Sequence, residues 1–272
     1  DRRTVAGADA LGAAFRADMT VPQLTKTNDQ AGHRVRFEWG REGMAELAPH
    51  VDVVIVVDVL SFTTCVDIAL GRGGVVLPYP SSRDGATAFA ESVDAAVASS
   101  RRDAGTFSLS PASLDAMPKG TRLVLPSPNG AALLFGAVAA GADTVVAACI
   151  RNGAAIGSWF ADQDVSVAVI AAGERWGDAD TPIRVAIEDL WGAGCVLSLF
   201  EPADLSPEAR VAANAWRAVE ADIVDELQHC SSGRELVFNG FETDVQFASA
   251  AHVSDSVPVL VDQRFVDLTG VG

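Results

Sequence analysis

Positive charge is scarce in this chain: Lys and Arg total 20 against 36 Asp and Glu over 272 residues, a formal net charge of −16. Such a field repels nucleic acid and anionic membrane surfaces, and neither is expected as a partner. Histidine is also sparse. His33, His50, His229 and His252 form no HExxH and no paired-ligand spacing, which disfavours zinc hydrolysis. No apolar strand is followed by G-x-G-x-x-G, which argues against a dinucleotide-binding dehydrogenase. The four cysteines (Cys65, Cys149, Cys195, Cys230) lie far apart with no CxxC pair, so buried reduced thiols in a cytoplasmic protein are the expectation. No apolar run approaches the ~20 residues of a membrane span, and the N-terminal stretch lacks a signal-peptide core.

What is present is a hydrophobic complement of 49%, enough for a sizeable core. Residues 1–32 mix Ala, Gly, Asp, Arg and Thr without period and read as a mobile arm. Residues 33–272 read as a single large α/β domain, with two lobes left open. The centre of that domain is Val53-Val54-Ile55-Val56-Val57-Asp58, a β-branched run ending at a carboxylate. Such a run suits a strand covered on both faces, as in parallel sheets. Ligands collect outside the carboxyl ends of such strands, where Ser61, Thr63 and Thr64 follow Asp58. The alternative is that Asp58 merely caps the next helix.

The strand-then-polar rhythm recurs. Arg122–Leu125 runs into Ser127-Pro128-Asn129-Gly130, Thr144–Cys149 into Arg151-Asn152-Gly153, and Val165–Ala172 into Gly173-Glu174-Arg175. A doubly wound, mostly parallel or mixed sheet in a three-layer α/β/α arrangement would bring these four ends together. The Ser127-Asn129-Gly130 loop suits an anion cradle at a helix start, or else an ordinary capped turn. Glu174-Arg175 reads either as site residues or as a structural ion pair. Further helices are predicted over Met44–His50, Ala86–Ser99, Ile183–Leu199, Pro207–Leu227 and Phe241–Ala251, with a last strand at Val257–Val261. Within the third of these, Glu188-Asp189 interrupts the apolar face as metal ligands or as a solvated patch; adjacent helical positions diverge by ~100°. Ser231-Ser232-Gly233-Arg234 is a second candidate anion loop.

The ordered strings VVDVLSFTT, LPSPNGA, CIRNGAAIG, AAGERWG, IEDLWGAG and SSGRELVFNGFETDV resemble the 2-phosphosulfolactate phosphatase family from about Val35 to Leu260. The resemblance implies a Mg²⁺-dependent phosphatase acting on a small 2-phosphorylated hydroxy acid. Asp58, Glu174, Glu188 and Asp189 are then the candidate Mg²⁺ ligands. Asp58, Glu174 and Arg175 would be catalytic, and Ser61, Thr63, Thr64, Ser127, Asn129, Gly130 and Asn152 would hold substrate. Two departures stand out: Ser61-Phe62 where the family carries Arg-Ala, and Ser108-Leu109-Ser110-Pro111 where it carries Gly-Asn-Ser-Pro. They predict weaker recognition of a second anionic group, with Phe62 offering apolar contact instead. A haloacid-dehalogenase phosphatase would need a second Asp two residues after Asp58, where Leu60 stands, so water is favoured as nucleophile. A binding protein that has lost turnover is the non-enzymatic alternative, and a homodimer is left open.

Overall fold

Val53–Val57 forms strand β2 in the middle of a six-stranded sheet, and every residue of it is buried. In the computed structural model, which describes residues 28–80, 85–101, 106–177 and 181–270, the strands in chain order are as follows. β1 is Val35–Trp39, β3 Val75–Tyr79, β4 Ala96–Val97, β5 Arg122–Pro126 and β6 Thr144–Ala148. β7 is Val167–Ala171, β8 Glu174–Arg175, β9 Ile183–Arg184, β10 Pro258–Val261 and β11 Arg264–Asp267. The main sheet runs β1-β7-β2-β6-β10-β11, parallel across its first four strands and antiparallel in the closing hairpin.

Alternation along β2 explains why five β-branched residues stand in a row. Val53, Ile55 and Val57 face the layer made by the helices Gly153–Ala161, Ile187–Leu197 and Pro207–Val219. Val54 and Val56 face the helices Gly40–Leu47, Phe62–Gly71 and Gly130–Ala139. The result is the expected three-layer α/β/α arrangement. Close approach matters at one crossing: a Cβ on Gly194 would sit 2.1 Å from the Ala212 carbonyl oxygen, so only glycine lets these two helices meet.

The main correction concerns β5, expected in the central sheet. It pairs instead with β3 and β4 in a separate parallel sheet of three strands. Val76, Leu123 and Leu125 on one face of this small sheet join the central core, while Leu77 and Val124 on the other pack on Ala86 and Ala90. Both faces are thus apolar, which makes its strands indistinguishable in pattern from those of the main sheet.

Several helices also differ in extent. Gly40–Leu47 begins earlier than predicted, absorbing Gly40 and Gly43 because Met44 and Leu47 bury one face. The Ala-rich helix stops at Ser92: Asp94 adopts φ +50, the Ala95 N–H returns to Ala90 O, and Ala96–Val97 becomes β4. The segment read as a helix from Ile183 starts at Ile187, because Ile183 and Arg184 pair with Arg175 and Glu174. The stretch from Pro207 is broken by a 3₁₀ turn at Glu220–Asp222. Ser231–Arg234 is not a loop but the first turn of the helix Ser231–Phe238, capped by the Cys230 thiol at 3.3 Å from Gly233 N.

Most of the expected arm, residues 1–27, lies outside the described residues. Within 28–32, Gln30 is tied to β1 through its amide, which donates to Phe37 O at 2.7 Å and accepts from Phe37 N at 3.1 Å. All four cysteines are free and buried. Among the described residues no helix is long and apolar enough to cross a membrane.

Candidate active site

Asp58 follows directly on β2 and is held at every polar atom. Its N–H donates to Thr63 Oγ1 at 3.0 Å, and that hydroxyl returns a bond to Asp58 O at 2.7 Å. Its Oδ1 accepts from Phe62 N at 3.3 Å and its Oδ2 from Gly130 N at 3.0 Å. The second of these bonds crosses from the main sheet to the loop after β5. Two sheets therefore converge on one carboxylate.

Gly130 must be glycine here. A Cβ would lie 2.6 Å from Asp58 Oδ2 and 2.4 Å from the Phe62 ring. The Ser127 hydroxyl accepts from the same Gly130 N–H at 3.0 Å, and the Asn129 amide reaches across to Glu174 Oε1 at 3.0 Å. Glu174 Oε1 also accepts from Arg175 N at 3.0 Å. Asp58, Ser127, Asn129, Gly130 and Glu174 are thus one connected group, although β5 stands in the other sheet.

The remaining predicted site residues are placed as follows. Thr63 and Thr64 are buried, and Thr64 Oγ1 donates to Val59 O at 2.7 Å, so both hydroxyls brace the strand end. Asn152 is fully buried, its Oδ1 accepting from Cys149 N at 2.8 Å. Arg175 turns its guanidinium to Thr181 O at 2.6 Å, and no Glu174–Arg175 side-chain ion pair forms. Phe62 is buried beneath Gly130 and offers substrate nothing, contrary to the contact expected of it.

Glu188 and Asp189 diverge as adjacent helical positions must, yet neither is solvated. Asp189 braces the ends of β2 and β7, accepting from Val59 N at 2.8 Å and from Gly173 N at 2.9 Å. Glu188 turns to Ser232, Arg184 and the Cys230 thiol, 3.8 Å from its Oε2.

Two residues were not legible as site residues in the sequence. The Arg101 guanidinium donates through Nη2 to the Ser61 hydroxyl and through Nε to Asp244 Oδ2 at 3.0 Å. Asp244 is itself buried and fixed by Ser110 Oγ at 2.5 Å and Ala112 N at 3.1 Å. Neither Arg101 nor Asp244 ends an apolar strand, so strand-end reasoning passes them by.

The electrostatics are dominated by buried acid. Burial, and then the charge of Glu174, push the Asp58 carboxyl up to about 7, against the pull of the Phe62 and Gly130 N–H groups and Arg101. Burial, followed by Glu188 and Asp58, holds Asp189 well above the usual carboxylate range. Glu188 is raised by burial too, opposed by the Ser232 hydroxyl and Arg184. Crowded carboxylates of this kind favour a cation.

Among the described residues no three His, Cys, Asp or Glu side chains gather closely enough to hold a metal by themselves. Mg²⁺ does not require three. It is commonly bound through one or two carboxylates, with waters and substrate phosphate filling the other positions. The all-oxygen pair Asp58 and Glu174 fits that mode.

A family model described as 2-phosphosulpholactate phosphatase matches residues 43–263, a span that holds every group just described. The chain belongs to this family. Members of the 2-phosphosulpholactate phosphatase family are phosphoric monoester hydrolases. A probable 2-phosphosulfolactate phosphatase of Carboxydothermus hydrogenoformans is 27% identical over 216 residues, covering 75% of this chain and 84% of the relative. The protein of the same description from Thermotoga petrophila is 25% identical over 216 residues, covering 78% and 90%. One from Symbiobacterium thermophilum is 28% identical over 156 residues, covering 56% and 63%.

Proposed function

We propose that this protein hydrolyses a small 2-phosphorylated hydroxy acid, of which 2-phosphosulfolactate is the model, with Mg²⁺ held by Asp58 and Glu174. The observation that carries this reading is the Asp58–Gly130 hydrogen bond. It fixes a buried carboxylate against the start of a ten-residue helix, Gly130–Ala139. The Ala131 and Ala132 N–H groups have no acceptor within that helix, and the positive end of its dipole favours a phosphoryl group there.

Bound Mg²⁺ would offset phosphate charge that an acidic protein otherwise repels, and would lower the pKa of a coordinated water. The chain's own residues do the rest. Asp58 is pinned through both oxygens, which suits a fixed ligand better than a carboxylate that must swing to attack phosphorus. Glu174 takes both of its described bonds on Oε1, so Oε2 would be the oxygen offered to the cation. Asn129 and Ser127 hold the loop to this geometry, and the helix-start N–H groups stabilise charge on the transferred phosphoryl oxygens. Water attacks phosphorus, the P–O bond to the hydroxy acid breaks, and that oxygen leaves with a proton.

Phosphate release from 2-phosphosulfolactate, 2-phospholactate and phosphoglycolate, with and without Mg²⁺, tests this. Mg²⁺-dependent release abolished in Asp58→Asn is expected. Release from none of the three would overturn it.

A further inference from the structure

We infer that Arg101 recognises the acid group of the substrate. This rests on the phosphatase reading above and names the residue of that same site that selects for the acid group.

The position of the guanidinium carries the inference. Arg101 reaches the Ser61 hydroxyl, three positions beyond Asp58, and its charge is one of those that Asp58 feels. It is held there from the far side by Asp244, whose other oxygen is occupied by Ser110 and Ala112. Its guanidinium carbon lies over Phe241, 5.9 Å from the ring centre. An arginine fixed on three sides in this way cannot drift with solvent, and a guanidinium has more N–H donors than Asp244 and Ser61 use. Planar forks of this kind match carboxylate and sulfonate oxygens in pairs.

Arg101 also lines a cavity of small-ligand size. This cavity of about 400 Å³ is bounded by Arg101, Leu109, Leu236, Asn239, Phe241 and Glu235. It is within the range for small-ligand sites, and its lining mixes apolar groups with the polar Ser100, Arg101, Glu235 and Asn239. Glu235 is exposed, and Arg101 is the cation among the lining residues. In a chain of net charge −16, such a fixed cation is what a substrate with two anionic groups needs.

The test compares two substrates of one shape, 2-phospholactate and isopropyl phosphate, which differ by a carboxylate in place of a methyl. In Arg101→Gln, kcat/KM for 2-phospholactate should fall about 10- to 100-fold, mostly through KM, with isopropyl phosphate held within about twofold. Arg101→Lys, which keeps the charge opposite Asp244 and so protects folding, should lose less and on the same substrate only. Equal losses on both substrates, or none, would overturn the proposal. Should wild type release phosphate from neither, calorimetric binding of the same pair decides: the phosphatase reading fails, while selective weakening of 2-phospholactate binding in the Arg101 variants still supports the acid-recognition role. No wild-type preference for 2-phospholactate in that titration would overturn the role of Arg101 itself.

Discussion

The backbone N–H of Gly130 donates to Asp58 Oδ2 across 3.0 Å, and through this bond the loop of the small sheet is fastened to the central strand of the large one. Its position also leaves no room for a side chain.

Gly130→Ala is therefore expected to separate the two halves of the site. The added methyl would meet Asp58 Oδ2 at 2.6 Å and the Phe62 ring at 2.4 Å, neither of which is the loose end of a flexible chain. Overpacking of this kind costs about 1–3 kcal/mol. Denaturant unfolding should show that loss, and phosphate release should fall at least about tenfold at a temperature where the variant is folded.

Asp58 gives a pH dependence whose sign is opposite to that of an ordinary ion-paired acid. Its folded carboxyl titrates at about 7 against an ordinary 3.8, so between those values the folded state holds a proton that the unfolded state has released. The contribution of Asp58 to stability is thus favourable to folding below about pH 4 and is lost as pH rises toward 7. Wild type without Mg²⁺ should lose stability across this window by on the order of 2–4 kcal/mol more than Asp58→Asn. Chemical denaturation at pH 4 to 8 measures the difference, and a parallel pair of curves would remove Asp58 from the explanation.

Metal binding separates the acids. Calorimetric titration with Mg²⁺ should show affinity reduced more than about tenfold in Asp58→Asn and in Glu174→Gln. Glu188→Gln should change it little, because Glu188 faces Ser232, Arg184 and Cys230. Affinity in wild type should strengthen as pH passes 7, since the cation competes with the Asp58 proton.

A fourth expectation concerns the fold alone. Asp67 is buried with Arg151 Nε at 2.7 Å and Ser254 Oγ at 2.5 Å, and Arg151 goes on to Phe247 O. Removing one member leaves the other charge uncompensated, so Asp67→Ala should destabilise by about 3–5 kcal/mol. The kinetic constants of the surviving folded enzyme should stay at wild-type values, since this network does not touch the group around Asp58.

Asp58, Asn129, Gly130 and Glu174 could be read from the sequence because each closes or follows an apolar run, and a buried strand must deliver its next polar residue to a sheet edge. The sheet holding β5 could not, because Val124 and Leu125 look alike whichever sheet buries them. Ser61 and Phe62 invited a reading by substitution, as a lost cation and a gained apolar contact. In the folded chain Phe62 is core and Ser61 receives a guanidinium from Arg101. That arginine stands just past the stretch read as a helix from Ala86 to Ser99, and its partner Asp244 lies 143 residues further on. Pairings of that separation leave no local trace.

The four buried thiols have a use of their own. Cys65 and Cys195 sit in helices on opposite faces of the main sheet, Cys149 just beyond β6, and Cys230 at the cap beside Glu188. Burial pushes all four thiols up, to about 12 for Cys149 and Cys230, so the native molecule should react only slowly with alkylating reagents. Each sulfur becomes reactive only when its own layer opens. The order in which the four acquire label is therefore a clock, built into the chain, for which layer of the protein comes apart first.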